Sequence, residues 1–180
     1  MVQEDLFIAA LQNKETQNRA FQQLVSQYKE RLYWHIRRIV LDHDDADDVL
    51  QNTFLKIYRN IDSFKGESAL FSWMYRIATN ESLSFLKQKA RKANITDKEM
   101  QESKIQNLQA DVYFEGSDIQ LKLQAAIAKL PEKQRLVFNM KYFEELKYEE
   151  MSQILDTSVG ALKSSYHHAV KKLEEYLTKD

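Results

Sequence analysis

An all-α chain organised as two small helical domains is expected from three observations. The 180 residues hold one proline and three glycines, which leaves little of the turn chemistry a sheet protein needs. Residues that cost little to place in a helix, Leu, Ala, Glu, Lys and Gln, are abundant. Apolar residues recur at spacings of three and four on both sides of a polar, acidic interruption at residues 93–118. A hydrophobic fraction of 43% can bury real cores in such units.

The elements follow from the N-terminus. Helical periodicity covers Asp5 to Lys14 and Arg19 to Val40, with Leu24, Tyr28, Leu32, His35 or Ile36, and Ile39 in core positions. The acidic run from Leu41 to Asp48 should break that helix and start another, with Asp44 or Asp45 as its cap and negative charge favoured by the helix dipole. This helix continues through Val49, Leu50, Phe54, Ile57 and Ile61. A loop from Asp62 to Ser68 holds the first glycine. A long helix is then predicted from Ala69 to Arg91, with Leu70, Phe71, Met74, Ile77, Ala78 and Phe85 on one broad face. Arg76, Asn80, Ser84 and Lys87 run down the other, and Trp73 lies at the border. Glu81 falls inside the apolar arc without an evident reason.

Residues 93–118 carry 2 Lys and Arg against 6 Asp and Glu and show weak periodicity, as expected of a linker between domains at 1–92 and 119–180. A helix from Ile119 to Leu130 is stopped by Pro131, which can open the next, Glu132 to Phe143. Tyr148 to Leu155, the three-residue turn Asp156, Thr157 and Ser158, and a final helix to Leu177 follow. Two helices joined by so short a turn, the second with a small, polar and mildly basic outer face, are the pattern of a helix-turn-helix.

Several classes of function are disfavoured. The absence of cysteine excludes a disulfide framework and a thiolate zinc site, and suits a reducing cytoplasm. A signal peptide is not apparent, and no apolar run is long enough to span a bilayer. The acidic run Asp42, Asp44, Asp45, Asp47 and Asp48 lacks the ligand alternation and distal glutamate of a calcium loop. His167 and His168 are adjacent, so they cannot share a metal in the i, i+4 manner. No nucleophile triad or phosphate loop stands out, so neither an enzyme nor a cofactor site is expected.

The stretch FKGESALFSWMYRIATN, from Phe64 to Asn80, sets aromatic rings beside Lys65 and Arg76, the combination that holds unstacked bases. The plainer reading is an amphipathic helix whose aromatics are core. Net charge is −1, which argues against strong unaided binding to DNA through phosphates alone and leaves room for work within a larger complex.

These segments resemble the extracytoplasmic-function class of bacterial sigma factors over nearly the whole chain. The resemblance rests on ADDVLQNTFLKIYRNI from Ala46, FKGESALFSWMYRIATN from Phe64 and LPEKQRLVFNMKYFEELKYEEMSQILDTSVGALKSS from Leu130. It implies a sigma region 2 bundle and a sigma region 4 helix-turn-helix joined by a flexible linker. It further implies docking of Asp48 and Gln51 on the clamp of the polymerase β′ subunit, with the flap of β as a second contact. Phe64, Lys65, Trp73, Arg76, Asn80 and Ser84 would capture the melted minus-ten element, and Lys163, Ser164, His167 and His168 would read the duplex minus-thirty-five element. An anti-sigma factor is a further expected partner. The family often has glycine, proline and arginine where this chain has Asp156, Ser158 and Ser165, alanine at Ser152, and aspartate and arginine at Ser84 and Lys87. A free-standing helix-turn-helix regulator is the alternative.

Overall fold

The computed structural model describes residues 2–96, 99, 100, 102, 103, 105 and 118–178. Eight α-helices are described: α1 Val2–Gln12, α2 Gln17–Val40, α3 His43–Asn60, α4 Leu70–Ala93, α5 Asp118–Ala128, α6 Glu132–Tyr142, α7 Tyr148–Leu155 and α8 Val159–Thr178. A 3₁₀ turn, Ile61–Ser63, follows α3. No strand occurs among the described residues, and residues 106–117 of the expected linker lie outside them.

Helix boundaries have local causes. Leu41 ends α2 in the left-handed conformation (φ 61°), its N–H donating to the Arg37 carbonyl at 2.9 Å. The cap of α3 is Asp42, whose Oδ1 accepts from the Asp45 N–H at 2.9 Å, rather than Asp44 or Asp45 as expected. Only Asp42 has the extended backbone that turns a carboxylate back over the first turn. Asp45 is instead buried against α4, where Lys89 Nζ lies 2.5 Å from its Oδ1. Pro131 sits one residue earlier than a first-turn position, as the residue preceding α6, and its carbonyl accepts from Arg135 N at 2.9 Å.

α2, α3 and α4 pack around Leu24, Leu32, Ile36, Val49, Ile57, Met74 and Ala78, all at most 1% exposed. This core extends across the two halves of the chain, because Val137, Met140, Met151, Ile154 and Leu162 belong to the same buried cluster. A second cluster holds the C-terminal half together through Ala126, Ile127, Leu130, Phe138, Ala169 and Leu173. Glu81 is explained by a neighbour from another helix: Lys56 Nζ of α3 lies 2.5 Å from its Oε1.

Candidate nucleic-acid interface

The loop between α3 and α4 is built from both ends of the N-terminal half. Phe64 follows the 3₁₀ turn with its N–H on the Ile61 carbonyl at 3.1 Å. Gln12 of α1 donates through Nε2 to the carbonyls of Ile61 (3.0 Å) and Phe64 (2.9 Å). Glu4, also on α1, accepts from the Leu70 N–H at 3.3 Å and so serves the start of α4 from a distance. Gly66 adopts φ +72°, a conformation that L side chains rarely take. Lys65, Gly66 and Glu67 are thereby left exposed on the rim.

A cleft of about 400 Å³ opens there, lined by Phe64, Lys65, Glu67, Trp73 and Arg76, with Gln153 of α7 closing one side. Phe64 is only 7% exposed. Its ring lies 5.2 Å from that of Trp73, so it faces inward, and Trp73, half-buried, carries the more accessible aromatic surface. Arg76, Asn80 and Ser84 are exposed and follow Trp73 at spacings of three and four, which makes one stripe along α4. Leu70 and Met74 are buried on the opposite side.

Arg76 is already engaged. Its Nε donates to the Gln153 carbonyl at 2.9 Å, and Nη2 donates to the same oxygen. That carbonyl lies in the last turn of α7, where carbonyls lack helical partners and a cation is favoured.

In the C-terminal half, Asp156 ends α7 in the left-handed conformation (φ 49°). Ser158 opens α8, with its Oγ accepting from Ala161 N at 3.3 Å. Where the family often has proline, the chain thus has a capping hydroxyl. Lys163, Ser164, His167 and His168 are all exposed on α8. Lys163 Nζ rests 5.7 Å above the Tyr148 ring, and Leu162, Ala169 and Leu173 anchor the inner face. Asp48 and Gln51 are exposed on α3. The structure thus brings Lys65, Trp73 and Arg76 together in one cleft, with Asn80 and Ser84 further along the same exposed face of α4, while Asp48 and Gln51 lie on a different helix.

Among the described residues no group of three or more His, Cys, Asp or Glu could hold a metal ion, and no helix is long and apolar enough to cross a membrane. Sequence reasoning had missed Gln12, Glu4 and Gln153. Gln12 and Glu4 act through their side chains on backbone groups at least 49 residues away, and the Gln153 carbonyl accepts from the Arg76 side chain 77 residues away; no local pattern marks such contacts.

The chain is a helical bundle with an aromatic and cationic stripe on α4, coupled to a helix-turn-helix formed by α7 and α8. The model for sigma-70 region 2 matches residues 24–92, and that for sigma-70 region 4 matches residues 120–173. The chain is 32% identical to the ECF RNA polymerase sigma factor SigW of Bacillus subtilis, over 92% of this chain and 93% of that one. It is 29% identical to the RNA polymerase sigma-H factor of Pseudomonas aeruginosa, over 88% and 86% of the two chains. Among solved structures, CnrH in complex with the cytosolic domain of CnrY is similar in fold, with a TM-score of 0.69, 23% identity and 98% of each chain covered. So is the sigma factor RpoE in complex with the anti-sigma factor NepR from Bartonella quintana, with a TM-score of 0.67, 23% identity, and 89% and 98% covered. The chain belongs to the ECF RNA polymerase sigma factors. It is a promoter-directing subunit and not a free-standing regulator.

Proposed function

We propose that the stripe Lys65, Trp73, Arg76, Asn80 and Ser84 receives the melted minus-ten strand, and that Lys163, Ser164, His167 and His168 read the minus-thirty-five duplex. The observation that carries this reading is the cleft beside Gly66, where a ring, two cations and exposed backbone converge at the head of α4. An unstacked base can rest on Trp73 while Lys65 and Arg76 meet phosphates. Phe64 serves by holding the loop in place, since its ring is turned inward. The exposed polar face of α8 suits a major groove.

Asp48 and Gln51, exposed on α3, are assigned to the β′ clamp of core polymerase, and the C-terminal domain to the β flap. The functional divisions are 1–92, 93–118 and 119–180. The site of action is the cytoplasm, and no covalent chemistry is assigned to the chain. An anti-sigma factor is a further partner, in keeping with the complexes in which CnrH and RpoE were solved.

Run-off transcription with core polymerase and a promoter library tests the reading. Arg76→Ala should lower open-complex formation on all selected promoters, and Lys163→Ala with His168→Ala should change which promoters are selected. Unchanged yield and selection in both variants would refute the assignment.

A further inference from the structure

α1 precedes the residues matched to sigma-70 region 2, 24–92, yet two of its side chains hold the loop between α3 and α4 from opposite ends. At the entry to the loop, Gln12 Nε2 donates to the carbonyls of both Ile61 (3.0 Å) and Phe64 (2.9 Å). Two acceptors need both N–H bonds of the amide, so its partners fix the side chain. The Ile61 carbonyl also accepts from the Phe64 N–H at 3.1 Å, which ties the turn to itself as well as to α1. At the exit, Glu4 Oε1 accepts from the Leu70 N–H at 3.3 Å. Leu70 is the first residue of α4, and the residue at its cap, Ala69, makes no side-chain hydrogen bond to it. The start of a helix leaves N–H groups without partners and favours negative charge, so α1 supplies to α4 what an alanine cap cannot.

The brace is itself anchored. Leu11 is fully buried, and Phe7, Ile8 and Ala10 pack against the same core. Beyond the helix end, Thr16 Oγ1 donates to the Ala10 carbonyl at 2.8 Å, and the N–H groups of Thr16 and Gln17 donate to the Asn13 carbonyl. Glu4 and Gln12 stand about 12 Å apart along the helix, which lets one rigid element serve both ends of the loop. Between those ends lie Lys65, Gly66 and Glu67, exposed, with Gly66 at φ +72°. Holding the Phe64 carbonyl also holds its ring, 5.2 Å from that of Trp73.

We propose that α1 is a working part of the strand-capture site: Gln12 and Glu4 are positioning residues that fix the loop beside Trp73, so that a melted base meets a preformed cleft. Neither residue touches DNA. Without either contact the loop takes up other arrangements, and only the fraction that forms the cleft is competent. The inference rests on the assignment of Lys65, Trp73 and Arg76 to the melted strand made above. Its consequence is selective: strand opening depends on α1, while duplex contacts by α8 and docking on core polymerase do not.

The test uses the full-length chain assembled with core polymerase and a promoter fragment that the parent selects from the library, carrying 2-aminopurine in its minus-ten element to report base unstacking. Gln12→Ala, and Gln12→Glu, which keeps the length but has no N–H to give, should each slow the fluorescence rise at saturating holoenzyme by about tenfold. Glu4→Ala should slow it by roughly threefold, and Glu4→Gln, which retains an acceptor, should recover most of the rate. Asp5→Ala removes the same charge from the same turn of α1 at an exposed position and should match the parent. Affinity for core polymerase, and for the closed promoter at low temperature, should be unchanged in every α1 variant, and circular dichroism checks that each is folded. Trp73→Ala is the direct-contact comparison. Parent-like rates in the Gln12 and Glu4 variants beside a slow Trp73→Ala would overturn the inference and leave the strand assignment standing. A parent-like Trp73→Ala would overturn the strand assignment, and the inference with it. Losses of core or closed-promoter affinity as large as the loss of rate would show a general structural role and overturn the inference too.

Discussion

Gly66 and Asp156 offer opposite tests of one physical term. Both have positive φ, +72° and 49°, but only the first is glycine. At Gly66 an added Cβ would meet no atom within 4 Å, so Gly66→Ala changes the backbone term with no clash. Placing a non-glycine residue in the left-handed region costs about 1–2 kcal/mol, and the stiffer unfolded chain returns about 0.4–1 kcal/mol. The net loss is about 1 kcal/mol, or a fall in Tm of roughly 2–4 °C for a chain of this size. Asp156→Gly runs the other way. It relieves the left-handed penalty, which is milder for Asp, and removes a negative charge from the C-terminal end of α7, where the dipole disfavours it by about 0.3–1 kcal/mol. Against the added unfolded-state entropy, the net gain is about 0.5 kcal/mol. Urea unfolding followed by circular dichroism measures both. A neutral or stabilising Gly66→Ala, or a destabilising Asp156→Gly, would refute the reasoning.

Three further outcomes are expected. Ser158→Ala removes the hydroxyl that caps α8 and should cost about 1 kcal/mol, read by thermal unfolding, while Ser158→Asn should recover most of it. Gln12→Ala removes two hydrogen bonds to the loop carbonyls at about 1 kcal/mol each; amide exchange should then quicken around Phe64 more than in α8. The Tyr75 phenol is held well above its usual value, first by burial and then by the Glu144 carboxylate. Its folded pKa is higher than its unfolded one, so its contribution to stability is complete below about pH 10 and is lost as pH rises through the folded value. Spectrophotometric titration should show one tyrosine ionising only with alkaline unfolding, and Tyr75→Phe should abolish that component.

The helices were legible because their causes are local. Spacing placed Leu24, Leu32, Ile36 and Ile39 inside, and all four are buried; Tyr148–Leu155 came out with the observed limits. The stripe on α4 was legible for the same reason, since a helix wheel separates Leu70 and Met74 from Arg76 and Asn80. Phe64 was harder. An aromatic residue in a loop reads as available for stacking, and only the packing of the 3₁₀ turn against α1 and Trp73 shows the ring turned inward. Glu81 seemed discordant because its partner, Lys56, lies on another helix. His35 is the sharpest case. Periodicity made it a core position, but Glu144, which makes a buried polar ring tolerable, is 109 residues away.

The same long-range logic explains how α4 can be covered on more than one side. It packs against α2, α3 and α7, yet it carries Thr79 and Ser82 in buried positions. Both hydroxyls donate to the carbonyl four residues earlier, at 2.8 Å each, which satisfies them within the helix. Small side chains satisfied in this way let neighbouring helices approach without leaving a buried donor unpaired. Thr79 then has its oxygen free to accept from His35. Valine at this position would keep the shape and remove that acceptor, which makes Thr79 a polar support of His35 within the N-terminal half, behind the contact His35 makes with Glu144. Thr79→Val should therefore leave α4 helical while weakening the hold on His35, and an unchanged His35 imidazole resonance by NMR would count against that role.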